Sequence, residues 1–94
     1  MFPGQIDGAD VLLYTEKGDY GCLCHDSGEI ADHICYFCIA RYPDDDIYYL
    51  FECNAEYSTV SDSDCDSMEN CKRLAANLSA GRLGACPVWH DAIE

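Results

Sequence analysis

The sequence predicts an α+β fold: an antiparallel β-sheet of four to five strands with one C-terminal helix packed on one face. Three observations carry this. Four short runs rich in β-branched and aromatic residues fill the first part of the chain, broken by Gly, Asp and Pro. One later stretch has helical periodicity. The whole chain has 94 residues, the size of a single domain.

The elements follow in order. Residues 10–15 (DVLLYT) form a strand, Glu16-Lys17-Gly18-Asp19 a turn, and residues 20–24 return as a second strand, making a hairpin. Residues 25–32 are polar with one Gly and are expected as a loop or a short helical turn. The run ICYFCIARY at 34–42 is the third strand, which Pro43-Asp44-Asp45-Asp46 ends. Residues 47–53 (IYYLFEC) are the fourth, paired to the third as a second hairpin. Both runs are nearly continuously apolar, as central strands covered on both faces are. An Asn54-Ala55-Glu56 turn leads to a short extra strand at 57–60.

The helix is expected to open at Asp66 or Ser67 and run to about Ser79. Asp66 and Glu69 have capping-box spacing, with Asp in the Ser/Thr place. Met68, Cys71, Leu74, Ala75 and Leu78 make one apolar stripe, and Gly81 is the stop. Residues 82–94 show no clear pattern. Alternation puts Ile47, Tyr49, Phe51 and Cys53 on one side of their strand and Tyr48, Leu50 and Glu52 on the other. One helix covers one sheet face, so the other needs the tail, a second copy of the chain (a homodimer) or a partner.

The charge is one-sided: 18 acids against 5 bases, net -13. Such a surface repels nucleic acid and anionic membranes and attracts basic surfaces. No stretch approaches the roughly 18 apolar residues of a membrane span. The start, MFPGQIDGAD, has neither the basic nor the apolar region of a signal peptide. With Met1 as the natural start, the expected location is the cytoplasm of a host cell, where thiols stay reduced.

Eight cysteines invite two other readings. Cys22-x-Cys24 and Cys35-x-x-Cys38, flanked by His25 and His33, resemble two halves of a zinc site, which would make the chain a zinc-stabilised interaction module. Against this, Cys35 and Cys38 on an extended strand point to opposite faces, and no Gly or Pro lies between them; free cysteine also packs as a small core hydrophobe. Neither a metal nor another cofactor is assigned. Cys53, Cys65, Cys71 and Cys86 show no ligand spacing, and Cys71 falls on the apolar stripe. The second reading is a secreted disulfide-rich domain, with Asn77-Leu78-Ser79 as a glycosylation sequon. No enzyme is expected. A nucleophile needs a base and an orienting group; Cys65 precedes a helix start, but Asp64 and Asp66 oppose a thiolate there, and no motif places His25, His33 or His90.

The stretch SDSDCDSMEN, residues 61–70, carries carboxylates at every second position. An EF-hand loop starting at Asp62 needs Gly at its sixth position and Glu at its twelfth, where this chain has Ser67 and Arg73. Capping accounts for Asp66 and Glu69; Asp62 and Asp64 remain. Residues 42–71 hold nine acids and no Lys or Arg. A single-sign field repels itself and weakens the fold, so it calls for a reason. The functional reading is a nucleic-acid mimic in which Asp44, Asp45, Asp46, Glu52, Glu56, Asp62 and Asp64 face a basic nucleic-acid-binding protein. The bland reading is a solvated face that keeps the domain from aggregating.

In size, acidity, sheet-plus-helix pattern and lack of any catalytic motif, the chain resembles small phage-encoded inhibitors, anti-CRISPR proteins above all, some of which are acidic mimics of DNA. That class shares no sequence motif, so no residue role is carried over. The resemblance implies blockage of target-DNA binding by a CRISPR surveillance complex.

Overall fold

The computed structural model describes residues 2–18, 20–24, 26–79 and 88–92, and their side chains except at 22–24, 30 and 79. It has an antiparallel sheet with one helix packed on one face, as expected. The elements are β1 (Gln5–Ile6), β2 (Ala9–Thr15), β3 (Gly21–Cys24), β4 (Ile30–Ile34), β5 (Tyr36–Arg41), β6 (Tyr48–Cys53), β7 (Thr59–Cys65), α1 (Met68–Ser79) and β8 (Trp89–Asp91). The main sheet runs β1-β2-β5-β6-β7, and β8 pairs with β2. The outer edge of β2 is shared: β1 takes Ala9 and Asp10, and β8 takes Leu13 to Thr15.

The expected hairpin of β2 with residues 20–24 does not form. Both edges of β2 are occupied, one by β5 and the other by β1 and β8. Instead β3 pairs with β4 as a separate two-stranded sheet. Residues 30–32, expected in a loop or short helical turn, therefore belong to a strand, and Ile34, expected to open the third strand, ends it. Gly28 sits at φ 91° in the intervening turn, a conformation L side chains rarely adopt. The chain before β3 runs alongside the end of β4, where the Gly18 and Tyr20 amides donate to the Cys35 and Ile34 carbonyls, each at 2.9 Å.

A bulge in β2 decides which face its side chains cover. Val11 pairs with Ala40, and Leu13 pairs with Ile39, so Leu12 is the extra residue. Ala9 and Val11 consequently join one face and Leu13 the other, although all three share parity in the sequence. Thr15, fully buried, ends the β2 ladder with its side chain: the Phe37 amide donates to Thr15 Oγ1 at 3.0 Å.

The sheet has a core on each side. On the helix face, Leu13, Ile34, Phe37, Ile39 and Leu50 pack with Cys71 and Ala75 of α1. On the other, Val11, Cys38, Ala40, Phe51 and Cys53 pack under Phe2 and Ile6, with Tyr14, Tyr57 and Ala92 at the margin. That second face is therefore covered by the N-terminal segment and by aromatic rings. Phe2 stacks on Tyr14 at 5.0 Å and meets Tyr57 edge-on at 5.2 Å. Asp7 (φ 52°) and Gly8 (φ 85°) make the two-residue turn that folds this segment back, with Ile6 opposite Ala9.

The helix begins at Met68, directly after the two residues at which it was expected to open. Ser67, not Asp66, is the cap: the Asn70 amide donates to Ser67 Oγ at 3.2 Å. Cys71 and Ala75 are fully buried, and Met68 and Leu74 pack beside them, but Leu78 is 43% exposed and leaves the core stripe. The stop expected at Gly81 lies outside the described residues. Among the described residues, no helix is long and apolar enough to cross a membrane.

A candidate acidic partner-binding face

The acids of the middle segment divide between two faces and two ends of the sheet. Among the described residues, β7 is the last strand in the path and pairs with β6 alone; Tyr49 lies opposite Asp64, and Phe51 opposite Asp62. Directly opposed side chains share a face. Asp62 and Asp64 thus stand on the face of Tyr49 and Phe51, away from the helix, and both are exposed. Their repeat is roughly 6.6 Å, two strand rises. The extra strand expected at 57–60 runs from Thr59 to Cys65 and so takes in the alternating acids.

The turn between β5 and β6 brings a third carboxylate to the same place. Asp45 accepts the Ile47 amide on Oδ1 at 3.1 Å and the Tyr49 hydroxyl on Oδ2 at 3.3 Å. Partial burial and the carboxylates of Asp45 and Asp64 raise the Tyr49 phenol above its ordinary pKa, so it stays a neutral donor between them. Tyr49 stacks on Phe51 at 6.1 Å and meets Tyr42 edge-on at 5.3 Å. Asp45, Asp64 and Asp62 therefore border an aromatic row, with Asp44 and Asp46 exposed in the turn beside it.

Glu52 and Glu56 are elsewhere. Glu52 points to the helix face, opposite Phe37 and Ser61, and is only 7% exposed. Burial raises its pKa, and a hydrogen bond from the Ser61 hydroxyl partly offsets this. Glu56 lies in the turn after β6, at the far end, where it lines an open cleft of about 250 Å³ with Lys17, Asp32, His33, Cys35 and Asn54. That turn is built on Asn54, whose Oδ1 accepts the Glu56 and Ser58 amides at 2.9 and 3.0 Å.

The described cations do not neutralise the acidic face. Arg41 lies over the Tyr48 ring at 5.9 Å, on the helix side. Lys72 pairs with Glu69 at 3.9 Å, and Arg73 donates to Asn70 at 3.1 Å, both on α1. Among the described residues, no ion pair involves Asp44, Asp45, Asp46, Asp62 or Asp64.

Cys35, Cys38, Cys53, Cys65 and Cys71 are free thiols. Cys35 and Cys38 were expected on opposite faces, yet both pack against the core under Phe2, because the chain breaks between β4 and β5 at Cys35. Cys38 is fully enclosed, and burial pushes its thiol up strongly. Burial likewise pushes Cys53 up to about 12. The side chains of Cys22 and Cys24, with all of His25 and Cys86, lie outside the described residues. Comparison of the chain with protein-family models, curated proteins and solved structures gives no match.

Proposed function

We propose that the chain is a non-enzymatic inhibitor that binds a basic nucleic-acid-binding surface as a nucleic-acid mimic, acting on a CRISPR surveillance complex by blocking its target-DNA binding. The observation that supports this most is the row Asp45, Asp64, Asp62 on one sheet margin, without an ion pair among the described residues and set beside aromatic rings. A nucleic-acid backbone offers a partner the same thing, a line of regularly spaced negative charge. The rings add rigid contact area of the kind interfaces favour. Strand pairing fixes the backbone that carries Asp62 and Asp64, and the Tyr49 hydroxyl holds the Asp45 carboxylate, which lowers the ordering entropy lost on contact. Asp44 and Asp46 extend the charge; Glu52, being buried, does not contribute to it. The expected location with such a partner is the host cytoplasm.

The test is joint charge reversal, Asp62→Lys with Asp64→Lys, in a binding assay against the DNA-binding complex. The wild-type chain binds, with affinity falling steeply as salt rises. The variant loses more than about tenfold in affinity, the scale of broken interfacial charge pairs, while its melting temperature holds. Unchanged affinity in the variant sinks the assignment of these two residues.

A further inference from the structure

Among the described residues, the acidic strand β7 has an open edge, since it pairs with β6 on one side and with no strand on the other. Its ladder from Ser61 to Cys65 is regular, because the bulge lies before it, at Val60. The strand holds neither Pro nor Lys, two of the devices that keep added strands off a natural edge. The pairing also fixes which residues face outward. Cys53 ends β6 with its carbonyl turned to the β5 side, where it accepts the Cys35 amide at 2.8 Å. Along a strand the backbone groups of successive residues point to alternate sides. Glu52, Leu50 and Tyr48 therefore turn theirs to β7, toward Ser61, Ser63 and Cys65 opposite them. Asp62 and Asp64, opposite Phe51 and Tyr49, turn amide and carbonyl outward, past the sheet. The two residues with exposed carboxylates on the aromatic face are thus the two that offer open backbone donors and acceptors at the edge.

We infer that β7 takes an added antiparallel strand from its partner, an extended segment with Lys or Arg at every second residue. The inference rests on the basic partner proposed above and specifies how that partner is held. Main-chain bonds to Asp62 and Asp64 supply affinity, and alternate side chains supply selection. In an antiparallel pair, the residue that exchanges backbone bonds with Asp62 also lies on the face of its carboxylate. Lys or Arg there, and again two residues on, meets Asp62 and Asp64 in turn. The residues between them fall on the helix face beside Ser61 and Ser63, where a small β-branched side chain such as Thr fits. A second copy of the chain does not suit this edge. Any antiparallel register that joins the outward groups of two β7 strands sets Asp against Asp, and like charges directly opposite destabilise a pair. Each chain also carries a net charge of -13. The charges on β7 thus bar self-pairing and admit a basic strand.

The experiment titrates the isotope-labelled full-length chain with the end-capped peptide Thr-Lys-Thr-Lys-Thr-Lys-Thr and follows amide hydrogen exchange by NMR. In the free chain the Ser63 amide is protected, while the Asp62 and Asp64 amides exchange fast. Saturating peptide is expected to slow those two by about tenfold or more. Two methylated peptides, each keeping every lysine charge, separate backbone pairing from charge. N-methylation at the Lys residues removes the donors that face β7 and is expected to weaken binding by about tenfold or more. N-methylation at the Thr residues, whose amides point away, is expected to cost far less. Asp62 and Asp64 amides that already resist exchange in the free chain, or that stay unprotected with peptide bound, overturn the inference. So does an unmodified peptide that fails to bind, or a Lys-methylated peptide that is not the weaker of the two. Equal, salt-sensitive binding of all three peptides overturns strand addition while leaving the nucleic-acid-mimic reading standing; that reading fails separately, on unchanged affinity of the Asp62→Lys, Asp64→Lys variant for the DNA-binding complex.

Discussion

Glu52 and Asp62 are acids one strand apart with opposite situations. Glu52 is enclosed on the helix face with a pKa raised by burial, whereas Asp62 faces solvent. A raised folded-state pKa means the ionised form destabilises the fold. That cost is fully present above the raised pKa and is relieved as pH falls through it toward the ordinary carboxylate value of about 4.3. Glu52→Gln is therefore expected to raise the melting temperature at pH 7, and its advantage over the wild type should vanish near pH 4, as thermal melts across that range would record. Thr15→Val keeps the side-chain shape but leaves the buried Phe37 amide without its acceptor, so denaturant titration should show a loss of about 1–3 kcal/mol. The alternation of Asp62 and Asp64 could be read in the sequence because a strand has a period of two. The same rule placed Glu52 on the other side, but its burial depends on what α1 and β5 bring to that side.

At the scale of elements, strands with strong local composition were readable, and pairings decided by competition for edges were not. Residues 36–41 and 48–53 form the expected hairpin because Pro43 and three Asp residues leave a short turn between two apolar runs. Residues 21–24 find a different partner because β1 and β8 occupy the free edge of β2, and β8 arrives from the far end of the chain. The Asp7-Gly8 pair was a legible signal for the first hairpin that the sequence reading passed over. The bulge at Leu12 has no local signature; it exists because β2 must supply Val11 to one core and Leu13 to the other. The helix stripe was readable at Met68, Cys71, Leu74 and Ala75. Ser67→Ala removes the acceptor for the Asn70 amide and is expected to cost about 0.5–2 kcal/mol in chemical denaturation, where Asp66→Ala costs less.

Across the whole molecule, a net charge of -13 is carried by a chain whose described cations sit mainly on the helix and at strand ends. Self-repulsion of this size opposes compaction, and salt screens it over about 8–10 Å. The melting temperature should therefore rise between low and physiological ionic strength, while affinity for a basic partner falls over the same interval. The opposed trends separate the charge's cost to the fold from its use at an interface. The most direct measurement immobilises the wild-type chain and the Asp62→Lys, Asp64→Lys variant, exposes each to host lysate, and elutes with a salt gradient. The account predicts that the wild type alone retains a nucleic-acid-binding complex, that moderate salt releases it, and that the free chain blocks the complex's DNA binding. Equal retention by both chains, or a retained complex that still binds DNA with the chain in place, would contradict it.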